Sequence, residues 1–102
     1  EYKGKTVLIT MGAAARRLNL DNERQYIGRG ISYCATCDGA LFKEKTVAVV
    51  GGGNSALEEA IYLANIVNKV YLIHRRDSFR ADPIIINELK EIKDIELLFQ
   101  KL

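Results

Sequence analysis

Short apolar runs alternate with longer amphipathic segments in the second half of the chain. Residues 46–50 (TVAVV) form a continuous apolar run, which is typical of a strand buried on both faces of a parallel sheet. Residues 69–74 (KVYLIH) and 95–99 (IELLF) are predicted as the next two strands. The pattern therefore predicts three strands joined by two segments that are long enough to be helices.

Both connecting segments carry apolar residues at helical spacing. In the first segment these residues are Leu57, Ala60, Ile61, Ala64 and Val67. The second segment begins with Asp82, a predicted N-cap, and Pro83 at the first helical position, and Ile85, Leu89 and Ile92 mark its apolar face. The order β-α-β-α-β predicts an α/β fold, namely part of a Rossmann-like nucleotide-binding domain with a parallel sheet.

The first 45 residues have a weaker pattern. Residues 6–10 (TVLIT) predict a strand, whereas residues 11–30 are rich in glycine, asparagine and charge and predict a loop with at most one helical turn. A short helix is expected to start at Cys34, and a turn at residues 43–45.

Composition narrows the class of protein. The 102 residues suffice for one small domain or part of a larger one, and the net charge of +2 does not indicate nucleic-acid or membrane binding by the whole surface. The richest apolar run, IYLANIVNKVYLI, is interrupted by polar residues and is too short to span a membrane. The chain lacks an initial methionine and opens on the polar EYKGK, so we expect a segment of a longer protein without a signal peptide.

A glycine-rich turn follows the first predicted strand. GGGNSA, which comprises Gly51, Gly52, Gly53, Asn54, Ser55 and Ala56, fits the pattern G-x-G-x-x-A. In that pattern Gly51 permits the tight turn, Gly53 lets a pyrophosphate approach the backbone, and Ala56 allows close packing of helix and strand. The alternative is a turn in which glycine serves packing alone. The flanking strand and helix favour a dinucleotide site.

The end of the second strand indicates which dinucleotide binds. His74, Arg75 and Arg76 stand where NAD-binding proteins usually place a carboxylate, and Arg80 follows. Guanidinium groups pair with phosphate, so the cluster favours the 2′-phosphate of NADPH. The alternative is a solvated basic loop.

Cys34 and Cys37 are the only cysteines and are separated by two residues. A zinc site needs four ligands, and the sequence offers this pair and one histidine. A structural disulfide would close a very small loop and constrain little. A redox pair at a helix start has one thiol with a lowered pKa and a second thiol that can displace a mixed disulfide. The neighbouring Asp38 would move the protons that this chemistry requires. The alternative is that Asp38 is an ordinary turn residue. Because hydride does not pass readily from NADPH to a disulfide, a redox pair also implies a flavin.

Two stretches, GRGISYCATCDGALF and KTVAVVGGGNSALEEAIYLANIVNKVYLIHRRDSFRA, resemble the low-molecular-weight thioredoxin reductases. The resemblance runs from about Tyr26 to the C-terminus. TVLITMGAAARRL resembles the stretch leaving the family's FAD domain, but it departs from the usual A-T-G-A. The resemblance implies that residues 1–25 leave the FAD domain and act as a linker, and that residues 26–102 begin the NADPH-binding domain. The FAD site is expected to lie mostly outside this chain.

The resemblance also implies roles for single residues. The position of Cys37 lies next to the flavin, that of Cys34 exchanges with thioredoxin, and that of Asp38 acts as acid and base. The remaining implied contacts are with NADPH: Gly52, Gly53, Ser55 and Glu58 along the nicotinamide and pyrophosphate, and His74, Arg75, Arg76 and Arg80 at the 2′-phosphate. A cytoplasmic homodimer is implied for the full-length enzyme, without nucleic-acid or membrane binding.

The redox pair and the NADPH site lie close together in the chain, so both reach one flavin only if the domain rotates. Gly28-Arg29-Gly30 is a candidate hinge, or else a plain surface loop. Two alternatives are an alkyl hydroperoxide reductase flavin subunit, in which the H-R-R cluster is usually absent, and a zinc-binding structural protein. A stand-alone NADPH-binding module without catalysis is a further alternative, and this chain by itself is expected to be inactive.

Overall fold

The computed structural model describes residues 7–9, 21–76 and 78–99, and these ranges contain five strands and four α-helices. The strands are β1 (Val7–Ile9), β2 (Ile31–Ser32), β3 (Thr46–Val50), β4 (Lys69–His74) and β5 (Ile95–Phe99). The helices are α1 (Glu23–Tyr26), α2 (Ala35–Asp38), α3 (Asn54–Ala64) and α4 (Pro83–Lys90), and a 3-10 helix spans Gly39–Phe42.

The five strands form one parallel sheet in the order β2-β1-β3-β4-β5. The register pairs Val50 with Ile73, so β3 and β4 end at the same edge of the sheet. The three predicted strands of the second half are confirmed at their predicted bounds, and the α/β fold is confirmed. The carboxyl edge of such a sheet is where nucleotide ligands bind.

The core lies between α3, α4 and one face of the sheet. Its largest fully buried side chains are Leu57, Leu63, Leu72, Leu89, Val47, Val49 and Val70. Burying each of these side chains contributes roughly 1.5–3 kcal/mol before the entropy cost of ordering. The predicted apolar face of α3 is confirmed for Leu57 and Ala60, which are buried, and for Ile61 and Ala64, which are partly buried against the core. Val67 is also buried, but α3 ends at Ala64, so this residue lies beyond the helix.

The strand predicted at residues 6–10 is confirmed for Val7–Ile9, and it lies between β2 and β3. Thr6, Thr10 and most of the predicted loop, residues 11–20, lie outside the described residues. β1 thus shares a sheet with β3, β4 and β5, while the assignment of residues 1–25 to an FAD-domain exit stays a prediction. Of the helices that the structure describes, none combines the length and apolar character that a membrane crossing requires.

Candidate redox and nucleotide-binding site

Cys34 and Cys37 form a disulfide bond, with their Cα atoms 5.3 Å apart. Cys34 is the N-cap of α2, and its Sγ accepts a hydrogen bond from the backbone N–H of Cys37 at 3.2 Å. The predicted short helix at the first cysteine is confirmed, but it has only four residues. A single turn carries little of the dipole that a long helix builds up. The donor placed to stabilise charge on the Cys34 sulfur is therefore this nearby N–H group.

Ser32 connects the first cysteine to Asp38. Its Oγ accepts a hydrogen bond from the Cys34 N–H at 3.1 Å and donates to Asp38 Oδ2 at 2.6 Å. The residue is only 2% exposed at the end of β2. Our sequence analysis missed Ser32. A serine two residues before the cysteine is a signal for such a local turn, because serine hydroxyls bond to the backbone two positions onward.

Residues 32–39, the redox segment, pack against α3. Ala35 is fully buried, and its backbone N–H donates a hydrogen bond to the Glu59 side chain of α3. Burial raises the pKa of Glu59, the bond from Ala35 lowers it, and the neighbouring Glu58 raises it. A Cβ on Gly39 would lie 3.2 Å from the Leu63 side chain, which shows how closely the two elements approach.

A cavity of about 320 Å³ opens beside Asp38, and the cationic residues Arg29 and Lys45 also line it. Its wall includes the predicted hinge, where Gly28 and Gly30 have φ values of 80° and 134°. Glycine adopts such values without strain. The turn is closed by hydrogen bonds from Gly28 N–H to Ile31 O and from Arg29 N–H to Tyr26 O, at 3.0 and 2.7 Å. Rotation about this turn stays a prediction.

The glycine turn lies at the carboxyl edge of β3. Gly51 has a φ of 144° and donates its N–H to Ile73 O of β4 at 3.0 Å. Gly53 is the N-cap of α3, and a Cβ placed on it would meet nothing within 4 Å. A phosphate therefore has room to approach the backbone at Gly53 and the free N–H groups at the start of α3.

His74 lies beneath the glycine turn. Its side chain occupies the space that a Cβ on Gly52 would need, and its ring stacks on Phe79 with centroids 5.8 Å apart. The residue is 8% exposed, and its Nε2 is buried without a partner among the described residues. Burial lowers the pKa of His74 from the usual 6.5, the charges of the three nearby arginines lower it further, and a backbone hydrogen bond at Ser78 raises it. His74 is thus a neutral, buried support and lies apart from the exposed basic cluster.

Arg75, Arg76 and Arg80 are exposed where the chain leaves β4. The Arg80 N–H donates to Gly52 O at 2.9 Å, which holds the basic segment against the glycine turn. Among the described residues, no carboxylate forms an ion pair with these guanidinium groups. Their charges are available to an anion at this edge of the sheet.

Asn54 and Asp82 join the start of α3 to the start of α4. Asn54 Nδ2 donates to Asp82 Oδ2 at 3.3 Å, and the Asp82 N–H donates to Asn54 Oδ1 at 2.8 Å. Asp82 occupies the predicted N-cap position, but its side chain makes no capping bond because it binds Asn54. Ser55 and Glu58 are exposed on α3, near the open turn.

The sequence model of the pyridine nucleotide-disulphide oxidoreductase family matches residues 1–99. The chain belongs to this family. The name of the family joins a pyridine nucleotide to a disulfide, and the geometry above contains residues suited to both.

Comparison with individual relatives of the family confirms the resemblance seen in the sequence. The chain is 53% identical over 97 residues to thioredoxin reductase of Helicobacter pylori, a match that covers 95% of this chain and 31% of that protein. It is 54% identical over 88 residues to glucosaminate ammonia-lyase of Pseudomonas fluorescens, covering 86% of this chain and 27% of that protein. The crystal structure of Lactococcus lactis thioredoxin reductase superimposes with a TM-score of 0.83 at 42% identity, covering 94% of this chain and 32% of that one. The chain spans about a third of the length of these relatives.

The cofactors of the thioredoxin reductase group in this family are NADPH and FAD. NADPH fits the residues present, because the open turn at Gly53 suits a pyrophosphate and the exposed arginines suit a 2′-phosphate. The sequence has one dinucleotide fingerprint, so a second dinucleotide such as FAD has no matching turn here. Within the described ranges, no group of three or more His, Cys, Asp or Glu side chains is arranged to hold a metal ion.

Proposed function

We propose that the complete protein carrying this chain is a thioredoxin reductase, which passes electrons from NADPH through FAD to the Cys34–Cys37 disulfide and then to thioredoxin. The single observation that carries this proposal is the disulfide beside a hydrogen-bonded carboxylate, Asp38, in the same small unit as the glycine turn. Bound FAD would supply the relay between hydride and sulfur. The chain alone lacks that relay and is expected to be inactive.

The binding of NADPH is assigned to the carboxyl edge of β3 and β4. The N–H groups at the start of α3 would receive the pyrophosphate, and Gly51, Gly52 and Asn54 shape the turn that presents them. Arg75, Arg76 and Arg80 would bind the 2′-phosphate through charge-assisted hydrogen bonds. Ser55 and Glu58 would face the nicotinamide end, and His74 would act through its packing under Gly52.

The cysteine pair would reduce thioredoxin by thiol–disulfide exchange. After the pair is reduced, the Cys34 thiolate attacks one sulfur of the thioredoxin disulfide, forms a mixed disulfide, and releases the other sulfur as a thiolate. Cys37 then attacks Cys34 Sγ, which restores the internal disulfide and releases the second sulfur. Two electrons reach thioredoxin, and the two protons lost by Cys34 and Cys37 end on its thiols, with Asp38 as the carrier.

The two halves of the site are separated along α3. Pyrophosphate is assigned to the start of the helix at Asn54, whereas Gly39 of the redox segment packs against Leu63. Nine residues of helix span about 14 Å. This separation supports alternating access of the two halves to one flavin through rotation at Gly28–Gly30. By resemblance, we also propose a cytoplasmic homodimer.

The relative named glucosaminate ammonia-lyase shows that identity alone does not select one activity. Eliminating ammonia transfers no electrons to a disulfide, so that reaction gives no role to the cysteine pair. The disulfide and the exposed arginines together favour an NADPH-dependent disulfide reductase.

Cysteine variants of the complete protein test this function. Cys34→Ser and Cys37→Ser should each abolish NADPH-dependent reduction of thioredoxin, because exchange needs both sulfurs, while NADPH still reduces the flavin. Ala40→Ser, an exposed change close to the pair, is the matched control and should leave both rates unchanged. Normal thioredoxin reduction by Cys37→Ser would refute the assignment.

A further inference from the structure

The Ser32 hydroxyl lies within hydrogen-bond distance of three atoms of Cys34 and Asp38. Its hydroxyl has one hydrogen and two candidate acceptors, Asp38 Oδ2 at 2.6 Å and Cys34 O at 3.2 Å. The contact with Asp38 Oδ2 is shorter and a carboxylate is the stronger acceptor, so the hydroxyl donates its hydrogen bond to Asp38 and keeps its hydrogen. The lone pairs of the same oxygen receive the Cys34 N–H at 3.1 Å. One buried atom thus fixes Asp38 relative to the backbone of the first cysteine.

We propose that Ser32 is a positioning residue for Asp38, which holds this carboxylate beside the cysteine pair for proton transfer during disulfide exchange. This inference rests on the proposed function. Ser32 itself touches neither the substrate nor the sulfur atoms in this scheme, and it acts through Asp38.

Ser32 is well anchored for such a role. It belongs to β2, its backbone is in register with Leu8 of β1, and it is 2% exposed. Little conformational freedom is left to lose when it binds the carboxylate. Asp38, in contrast, belongs to a single helical turn and is partly exposed.

The electrostatic surroundings explain why Asp38 needs a fixed partner. Arg29 and Lys45 line the cavity beside it, and their charges attract a carboxylate that is free to rotate. The bond to Ser32 holds Oδ2, and Oδ1 makes no hydrogen bond to the described residues. In the exchange reaction, Oδ1 is then the oxygen that takes the proton leaving each cysteine and passes it to the departing sulfur of the substrate. The serine hydroxyl keeps its hydrogen throughout.

The test uses the complete protein with bound flavin and separates two steps by rapid mixing. Ser32→Ala should slow electron transfer to thioredoxin by about tenfold or more, because a misplaced acid–base group loses much of its effect. Flavin reduction by NADPH should stay within about twofold, since the cysteine pair takes no part in it. Ser32→Thr keeps the hydroxyl and should restore the rate to within about threefold of the parent.

A double variant excludes a purely structural role. Ser32→Ala should add less than about twofold to the defect of Asp38→Asn, because residues that act as a unit are not additive. Independent, multiplying effects would overturn the proposal, as would a Ser32→Ala protein that reduces thioredoxin at the parent rate.

A parent protein that fails to reduce thioredoxin overturns the proposed function instead. Ser32 is then judged on the exchange of the Cys34–Cys37 disulfide with dithiothreitol, which needs no flavin. Ser32→Ala and Asp38→Asn should slow this exchange with dithiothreitol by similar factors. An unchanged exchange rate in Ser32→Ala would refute the positioning role of Ser32.

Discussion

The redox centre and the nucleotide site differ in how far apart their residues lie in the chain. Residues 32–38 make the redox centre, and its hydrogen bonds join positions two to six apart. The nucleotide site depends on contacts across β3 and β4, such as Arg80 to Gly52 and Asn54 to Asp82, the latter 28 positions apart. Hydrogen bonds between near neighbours in the chain therefore set most of the geometry around the sulfur atoms, whereas the sheet register sets the geometry of the proposed phosphate site.

The strongest test of the nucleotide half is the double change Arg75→Glu with Arg76→Glu. Each charge-assisted bond to phosphate contributes about 1.5–3 kcal/mol, so the affinity for NADPH should fall by about 100-fold or more. The affinity for NADH, which lacks the 2′-phosphate, should change by less than about threefold. Fluorescence titration of both nucleotides measures the difference, and equal losses would discredit the 2′-phosphate assignment.

The double arginine change should not affect the chemistry of the cysteine pair. Transfer of electrons from the already reduced cysteine pair to thioredoxin needs no nucleotide, so its rate should stay at the parent value in the same variant. A slower transfer would show that the geometry of the cysteine pair depends on the arginines of the proposed nucleotide site.

The next test compares two adjacent glycines. Gly52→Ala places a methyl group against the buried ring of His74 and should destabilise the protein by about 1–3 kcal/mol, as overpacking does. Gly53→Ala meets nothing within 4 Å and should change the free energy of unfolding by less than about 0.5 kcal/mol. It should nevertheless weaken NADPH binding about tenfold, because the methyl group stands where the pyrophosphate approaches. Urea denaturation and NADPH titration measure these effects, and equal destabilisation by both changes would contradict the packing of His74.

The smallest expected effect concerns the helix that the two halves share. Burial raises the folded-state pKa of Glu59 above 4.5, so its ionised form reduces stability at neutral pH. Glu59→Gln should therefore raise the free energy of unfolding at pH 7, and the gain should disappear as the pH falls below about 4.5. Glu58→Gln, at the exposed neighbour, is the comparison and should give a smaller gain, because it removes only the repulsion from Glu58 and leaves the buried charge of Glu59. A gain that persists at pH 4 would show that charge burial is not its cause.

Much of the sheet was predictable, because β3, β4 and β5 are short, mostly apolar runs with clear boundaries. β2 was not, since two residues carry no periodic signal, and the position of β1 beside β3 depends on long-range pairing. The hydrogen bond between Ser32 and Asp38 was not predicted either, because it depends on the position of Ser32 in β2, and β2 itself was not predicted.

His74 shows a different limit of sequence reasoning. Its chemistry placed it with the arginines, yet Val70, Leu72 and His74 alternate along β4 and are all buried. The two-residue period of a strand carried that information. The exposed arginines follow the end of the strand, where the constraint of the sheet stops.

The central claim is that the disulfide receives the electrons of NADPH, and anaerobic titration of the complete flavin-bound protein tests it most directly. Flavin and disulfide each accept two electrons, so the parent should consume about two equivalents of NADPH per flavin, while Cys37→Ser should consume about one. If the parent consumes about one equivalent, as the variant does, the cysteine pair does not accept electrons from NADPH.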